Sequence, residues 1–366
     1  MRDIAFLLLY LPPFLLGFGR LFVCVLNWVF VSLLAPNYVL YGIGSGIPFN
    51  KLVAAVTAVT LLVSRERKRL RWNAMSTLVL LFLALAAASQ LMAFTDHPLG
   101  WDILDRFWKI VALYLLVTCF ATTPNRIHAL ILTICVGTAF MGVADGAKFV
   151  LSGGGYHALG SAAWGDNNQE ALFLLMVLPL YFHLHGVLTN RLARVGVLAC
   201  IVLYVLAVLA TASRGGFIGL MIVAAVFVAT SRRKITYGIL VAVAGFGIVT
   251  FAPSHWSERM DTIKTAEEDG SFMARVMAWK MSTVMALDRP LRGVGLHGIQ
   301  LPETWDYYRS RFDTLAAIPS PEPGDIPRAA HSIYFEVLGD LGFPGLAVLL
   351  ALLVMGFRRA RRTARL

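Results

Sequence analysis

The feature that most constrains this chain is its succession of apolar runs, each about 16 to 25 residues long and therefore able to cross a hydrocarbon core. In lipid no water is available to the backbone, so every N–H and C=O of a span must be satisfied internally. The runs are continuous, unlike the alternating segments of about ten residues that build a membrane barrel. The chain is therefore expected to be all-α, a polytopic helical bundle. Its composition, 58% hydrophobic and 14% charged, agrees.

Candidate spans fall at residues 4–19, 21–42, 47–63, 74–94, 104–121, 127–148, 168–187, 192–213, 215–230, 234–251 and 331–356. The first is short and contains Pro12-Pro13, so it either crosses alone or forms one bent unit with the second, giving about 10–11 spans. A formal charge of +11 would suggest nucleic acid in a soluble protein. Here the basic residues gather in short loops, at Arg65 to Arg71, Arg126, Arg191 and Arg194, Arg232 to Lys234 and Arg358 to Arg365. That distribution is a topology signal placing these loops in the cytoplasm, with no nucleic-acid partner implied. The intervening loops, around 95–105, 151–167, 211–216 and 252–330, then face outside. Cys24, Cys119, Cys135 and Cys200 all lie inside apolar runs, which points to core filling rather than disulfides or a metal site. Met1-Arg2-Asp3 lacks a basic leader region and a small-residue cleavage site, so the start is expected to be retained.

Three sections follow: a bundle over 1–251, a large outer loop over 252–330, and a last span with a basic tail over 331–366. The loop carries Arg259, Arg275, Arg289, Arg292, His297, Arg309, Arg311 and Arg328, and ends on His331. Residues 271–287 read as a helix with an apolar face of Phe272, Val276, Met277, Trp279 and Val284, interrupted by Lys280 and with Arg275 at its margin. Such a helix could lie on the leaflet or pack against the bundle. The proline-rich stretch 318–327 reads as a mobile connector.

Three basic side chains are candidates for chemistry. Arg214, in Ser213-Arg214-Gly215-Gly216, sits at a turn between two apolar runs with no acid near it in sequence. It is either an interfacial anchor or a cation able to hold an anion. Arg275 is either a solvated side chain or a bidentate grip for phosphate oxygens. His331 stands where the connector meets the last span, as a helix-start residue or as a proton acceptor near neutral pH. Arg292, Trp279 and Asn167 are further possible substrate contacts, and the run Asp166 to Glu170 also suits helix capping. Asp145 and Lys148 are spaced to pair on one helix face. There is no phosphate-cradling glycine loop, HExxH or GxSxG, so neither a metal nor a nucleotide cofactor is indicated.

Ser213-Arg214-Gly215-Gly216, Arg275, Trp279, Pro290-Leu291-Arg292-Gly293-Val294-Gly295, His331-Ser332-Ile333-Tyr334 and Gly339-Asp340-Leu341-Gly342-Phe343-Pro344-Gly345-Leu346 together resemble the O-antigen ligase and polymerase superfamily. Met1-Arg2-Asp3 and Asn37 to Gly42 look most like its branch of O-glycosylation ligases associated with the exosortase system. The resemblance implies a GT-C-type glycosyltransferase of the bacterial inner membrane. Its donor would be an undecaprenyl-diphosphate-linked glycan on the periplasmic side, its acceptor a hydroxyl of lipid, glycan or protein, and no metal would be needed. Arg214 and Arg275 match the family's diphosphate-binding arginines, and His331 its catalytic histidine. Family members usually continue through about two more helices, so the chain would be a short or truncated member. Polymerase and ligase differ only in acceptor. A transporter or flippase for a lipid-linked or anionic substrate, and a non-catalytic assembly factor, are the alternatives from other classes.

Overall fold

A computed structural model describes residues 2–66, 72–161, 165–231 and 270–363, with scattered positions between 233 and 245. Most of the expected span 234–251, Arg259 and the first part of the outer loop lie outside the described residues, as do several arginines of the basic loops. The protein is an all-α, multi-pass membrane protein; its only strand pairing among the described residues is Gly160–Ser161 with Gly165–Asp166. Six of the described helices are long and apolar enough to cross a membrane: Leu21–Val39, Ala74–Leu91, Pro124–Leu151, Asn167–Val187, Arg191–Ala210 and Ile333–Thr363. Phe6–Leu16, Phe49–Val63 and Arg214–Thr230 are apolar but shorter. The helix expected over 104–121 begins earlier, at Pro98, and its first half carries Asp102, Asp105, Arg106 and Lys109. That charge load is why it does not count as a simple span.

The chain divides into two compact units, Met1–Lys68 with Phe120–Lys264, and Arg69–Cys119 with Thr265–Leu366. In the first unit the helices are α1 (Arg2–Leu16), α2 (Leu21–Leu34), α3 (Pro36–Val39), α4 (Phe49–Val63), α7 (Pro124–Leu151), α8 (Asn167–Val187), α9 (Arg191–Ala210) and α10 (Arg214–Thr230). The closest packing joins α7 to α9, where Gly142 and Gly146 repeat at helical spacing on one face. A Cβ on Gly146 would collide with the Leu203 backbone, so glycine permits the approach. The Tyr204 hydroxyl then donates to Thr138 Oγ1 at 2.8 Å, and Tyr181 to the Cys135 carbonyl at 2.7 Å. Polar pairing inside the bundle thus accompanies an apolar core of Leu174, Leu178, Ala207 and Val208.

The second unit holds α5 (Ala74–Leu91), α6 (Pro98–Phe120), α11 (Gly270–Asp288), α12 (Pro302–Arg309) and α13 (Ile333–Thr363). Met277, Met281 and Met285 of α11 pack on Trp305, Tyr308 and Phe312, so this helix belongs to a folded lobe and also packs on α13. Lys280, expected to interrupt the apolar face, is only 6% exposed, with its ammonium 3.9 Å from the centre of the Phe312 ring. The proline-rich stretch is anchored rather than a free connector: Trp305 Nε1 donates to the Gly324 carbonyl at 2.8 Å, and Arg309 pairs with Asp325.

Helix α13 is broken at Gly342 (φ 68°, ψ −167°), two residues before Pro344. An unbroken helix would pair Phe343 N–H with the Gly339 carbonyl, and Pro344 has no N–H to offer Asp340. The segment after α11 takes over these groups. Gly339 O accepts from Val294 N–H at 3.0 Å, Asp340 O from Gly295 N–H at 3.3 Å and from Ser89 Oγ at 2.5 Å, and Phe343 N–H donates to Pro290 O at 2.9 Å. Gly293, at φ 66°, lies so close to the Asp340 carbonyl that any Cβ would clash. Gly293→Ala is therefore expected to destabilise the second unit by about 1–3 kcal/mol, the usual cost of a strained non-glycine backbone, and more if the clash is not relieved. A melting temperature in detergent equal to that of the unsubstituted protein would contradict this.

Candidate functional site

Arg214 opens α10, which follows α9 after a sharp corner at Thr211 to Ser213. Ala212 takes a left-handed backbone (φ 45°), and Ser213 caps α10 by accepting Gly216 N–H at 3.0 Å. Two side chains from the start of α8 hold the corner: Asn167 Nδ2 donates to the Thr211 carbonyl at 2.9 Å, and Asn168 Oδ1 accepts the Ser213 hydroxyl at 2.7 Å. Asp166 caps α8 as its sequence suggested, accepting from Asn168 and Gln169 N–H. Asn167, a candidate substrate contact, thus also positions the turn. Arg214 is half-buried on the first turn of α10, where the helix end favours anions. Arg214 also makes a contact of its own.

Nearby along the same elements, Lys148 pairs with Asp145 at 2.9 Å, and the Tyr156 hydroxyl donates to Asp145 at 2.9 Å. Burial, then the Asp145 carboxylate, push the Tyr156 phenol above its ordinary value. Glu170, 2% exposed in the first turn of α8, faces this group. Reading the run Asp166 to Glu170 as a helix cap or a contact for sugar hydroxyls does not predict this neighbour. The presence of Glu170 in an apolar span was the available signal.

In the second unit the structure gathers Arg275, Trp279 and His331. Trp279 Nε1 donates to the Ala330 carbonyl at 2.8 Å, and its ring stacks on Phe335 with centroids 5.1 Å apart. These contacts clamp both sides of His331, which is exposed and held at φ 47° just ahead of α13. Arg275 lies one turn before Trp279 on the same helix, half-buried and without an acidic partner among the described residues. Trp279 is therefore a positioning residue in this arrangement.

The loop's other arginines sort into two groups. Arg311 pairs with Asp288 at 2.7 Å, Arg309 with Asp325, and Arg289 covers Phe94 and donates to the Met92 carbonyl. Asp288 also accepts the Tyr308 hydroxyl at 2.7 Å, and burial with that carboxylate raises the Tyr308 phenol. Arg292 and Arg328, by contrast, are exposed and have no acidic partner among the described residues; Arg292 approaches only the Met92 sulfur, at 3.8 Å. Arg214 with Asn167, and Arg275 with Trp279, Arg292 and His331, belong to different units.

Residues 1–186 match a family of unknown function (DUF5935), and residues 199–350 match the O-antigen ligase family (Wzy_C). The first match covers half of the chain, which therefore belongs to that family, and the second places the chain in the O-antigen ligase/polymerase superfamily. No curated protein and no solved structure matches it.

The O-antigen ligase match spans Arg214, Arg275, Trp279, Arg292 and His331, whereas Asn167 and the Asp145 group fall in the DUF5935 half. As a superfamily member the chain is an O-antigen ligase/polymerase-like membrane enzyme. The clamp on His331 makes a prediction that does not depend on substrate. Trp279→Phe keeps a ring against Phe335 but deletes the hydrogen bond to Ala330, costing about 0.5–1.5 kcal/mol. Backbone amide exchange over residues 331–333 should quicken by a matching factor, and unchanged exchange would remove Trp279 from this role.

Proposed function

We propose that the protein transfers a glycan from an undecaprenyl-diphosphate carrier to an acceptor hydroxyl at the periplasmic face of the bacterial inner membrane. The observation that carries the reading is Trp279, one helical turn from Arg275, which has no acidic partner among the described residues, fastened to the backbone beside the exposed imidazole of His331. The O-antigen ligase match over the same residues supports it.

In the proposed step the acceptor oxygen attacks the anomeric carbon while the bond from that carbon to the diphosphate oxygen breaks. The hydroxyl proton passes to His331, and the polyprenyl diphosphate leaves with the bonding electrons. A direct displacement of this kind inverts the anomeric centre. Catalysis then consists of stabilising charge on the leaving diphosphate and accepting a proton. Arg275 would supply the first in the second unit, with Arg292 as a further basic contact, and Arg214 is the other diphosphate-binding arginine that the family resemblance implies. Two guanidiniums provide the charge a metal would otherwise bring, so the reaction is read as metal-independent. Ligase and polymerase share this chemistry and differ in whether the acceptor is a lipid or protein, or a growing glycan.

Reconstitution with a defined polyprenyl-diphosphate oligosaccharide and separate lipid, glycan and peptide acceptors tests the reading. Transfer should release the polyprenyl diphosphate, persist in EDTA, and fall by about 10²–10³ in Arg275→Ala and in His331→Ala. Arg275→Lys should also be strongly impaired, because an ammonium cannot grip two oxygens in a planar fork. Wild-type rates in Arg275→Lys would remove the diphosphate grip, and wild-type rates in His331→Ala would remove the base. The identity of the labelled product separates ligase from polymerase.

A further inference from the structure

The second unit contains a cavity of about 380 Å³, within the size range of small-molecule sites, that none of the proposed catalytic or diphosphate-binding residues lines. Its walls come from α5, α6, the Leu296–His297 turn and the first turns of α13. Most of the lining is apolar, with Phe82, Phe107 and Leu341 among it, and α5 and α13 are both long and apolar enough to cross a membrane. The polar groups are Arg106, His297, Glu336 and Asp340.

These groups are held in place. Asp340, 6% exposed, accepts His297 N–H on Oδ2 at 2.8 Å, and its Oδ1 has no partner among the described residues. His297 is fixed in a left-handed turn (φ 54°); its Nδ1 contacts the Gln300 amide, and its Nε2 lies 3.5 Å from Glu336 Oε1. A carboxylate only accepts hydrogen bonds, so Glu336 calls for a donor, and the Asp340 carboxyl keeps one oxygen still to be paired. Arg106 donates its Nε–H to the Asp102 carbonyl at 3.3 Å, and the remaining N–H groups of its guanidinium call for an acceptor. A hydroxyl answers both demands. A phosphate head would meet the like charge of the Glu336 carboxylate, and an ammonium head the like charge of the Arg106 guanidinium.

We propose that this cavity binds a lipid-borne amphiphile through hydroxyl groups of its head, with an apolar chain along the α5 and α6 wall. Taken with the function proposed above, on which this step rests, the occupant is the acceptor: a sugar-headed lipid whose hydroxyl is glycosylated. The binding itself stands on the cavity alone.

The test uses the full chain in lipid nanodiscs and a decyl glucoside carrying a diazirine on its alkyl chain, with no donor present. Cross-links should map to residues 82–86 and 103–110, and decyl glucoside should compete at about tenfold lower concentration than decyl phosphate or decylammonium. Ala86→Phe fills the cavity from its buried wall, and Ile110→Trp narrows it from the exposed edge. Each should reduce labelling about tenfold while leaving the melting temperature unchanged. If Ala86→Phe does not fold, Ile110→Trp decides. Labelling spread over the lipid-facing helices, equal competition by the three heads, or full labelling in Ile110→Trp would overturn the site. Because no donor is present, these outcomes leave the transfer reading untouched. Conversely, full transfer to a lipid acceptor in a variant that no longer labels would remove the acceptor assignment and leave the enzyme standing.

Discussion

The second unit depends on an exchange of backbone hydrogen bonds at the break in α13. A helix interrupted at Gly342 and Pro344 leaves carbonyls at Gly339 and Asp340 without their own partners, and a buried unpaired carbonyl costs about 1–3 kcal/mol. Residues 290–295 supply the missing donors, and Ser89 adds a third from α5. Three distant stretches of chain are thereby fastened at one point. The exchange works only because Gly293 and Gly342 both take left-handed backbones where a side chain would meet the opposing strand of carbonyls.

That junction orders what lies on either side. Toward its N-terminus, α13 carries Glu336 and Asp340 into the cavity and begins just after the His331 turn. The loop helix α11 leads straight into the docking segment, so fixing residues 290–295 also fixes the register of Arg275 and Trp279. Trp279 then ties back to Ala330 and closes the circuit. A broken membrane helix serves here as a socket: its unsatisfied backbone groups are tolerated because protein, not lipid, faces them.

Much of the site was legible as residue types and little of it as roles. Arg275 and His331 stood out because a guanidinium and an imidazole in a loop between spans are chemically conspicuous. Trp279 was read as a contact for substrate, and the structure adds that its indole holds the His331 turn. Asn167 followed the same course at the Arg214 corner. Arg309 and Arg311 are indistinguishable in sequence from Arg275, yet each is neutralised by an aspartate 16 or 23 positions away. His297, Glu336 and Asp340 went unread as a group because nothing in their spacing predicts a shared cavity, although acids within a span are costly enough to have signalled one.

The sequence by itself determined the all-α membrane class, the helical start at Asp166, the corner at Arg214 and the superfamily. Each of these is local: hydropathy, capping and short motifs act over one or two helical turns. Tertiary structure decided which arginines keep their charge available, that the proline-rich stretch is anchored, and that α13 is completed by residues some 50 positions earlier. Those outcomes turn on hydrogen-bond partners chosen across long separations, where many pairings satisfy the same local pattern and packing alone selects one.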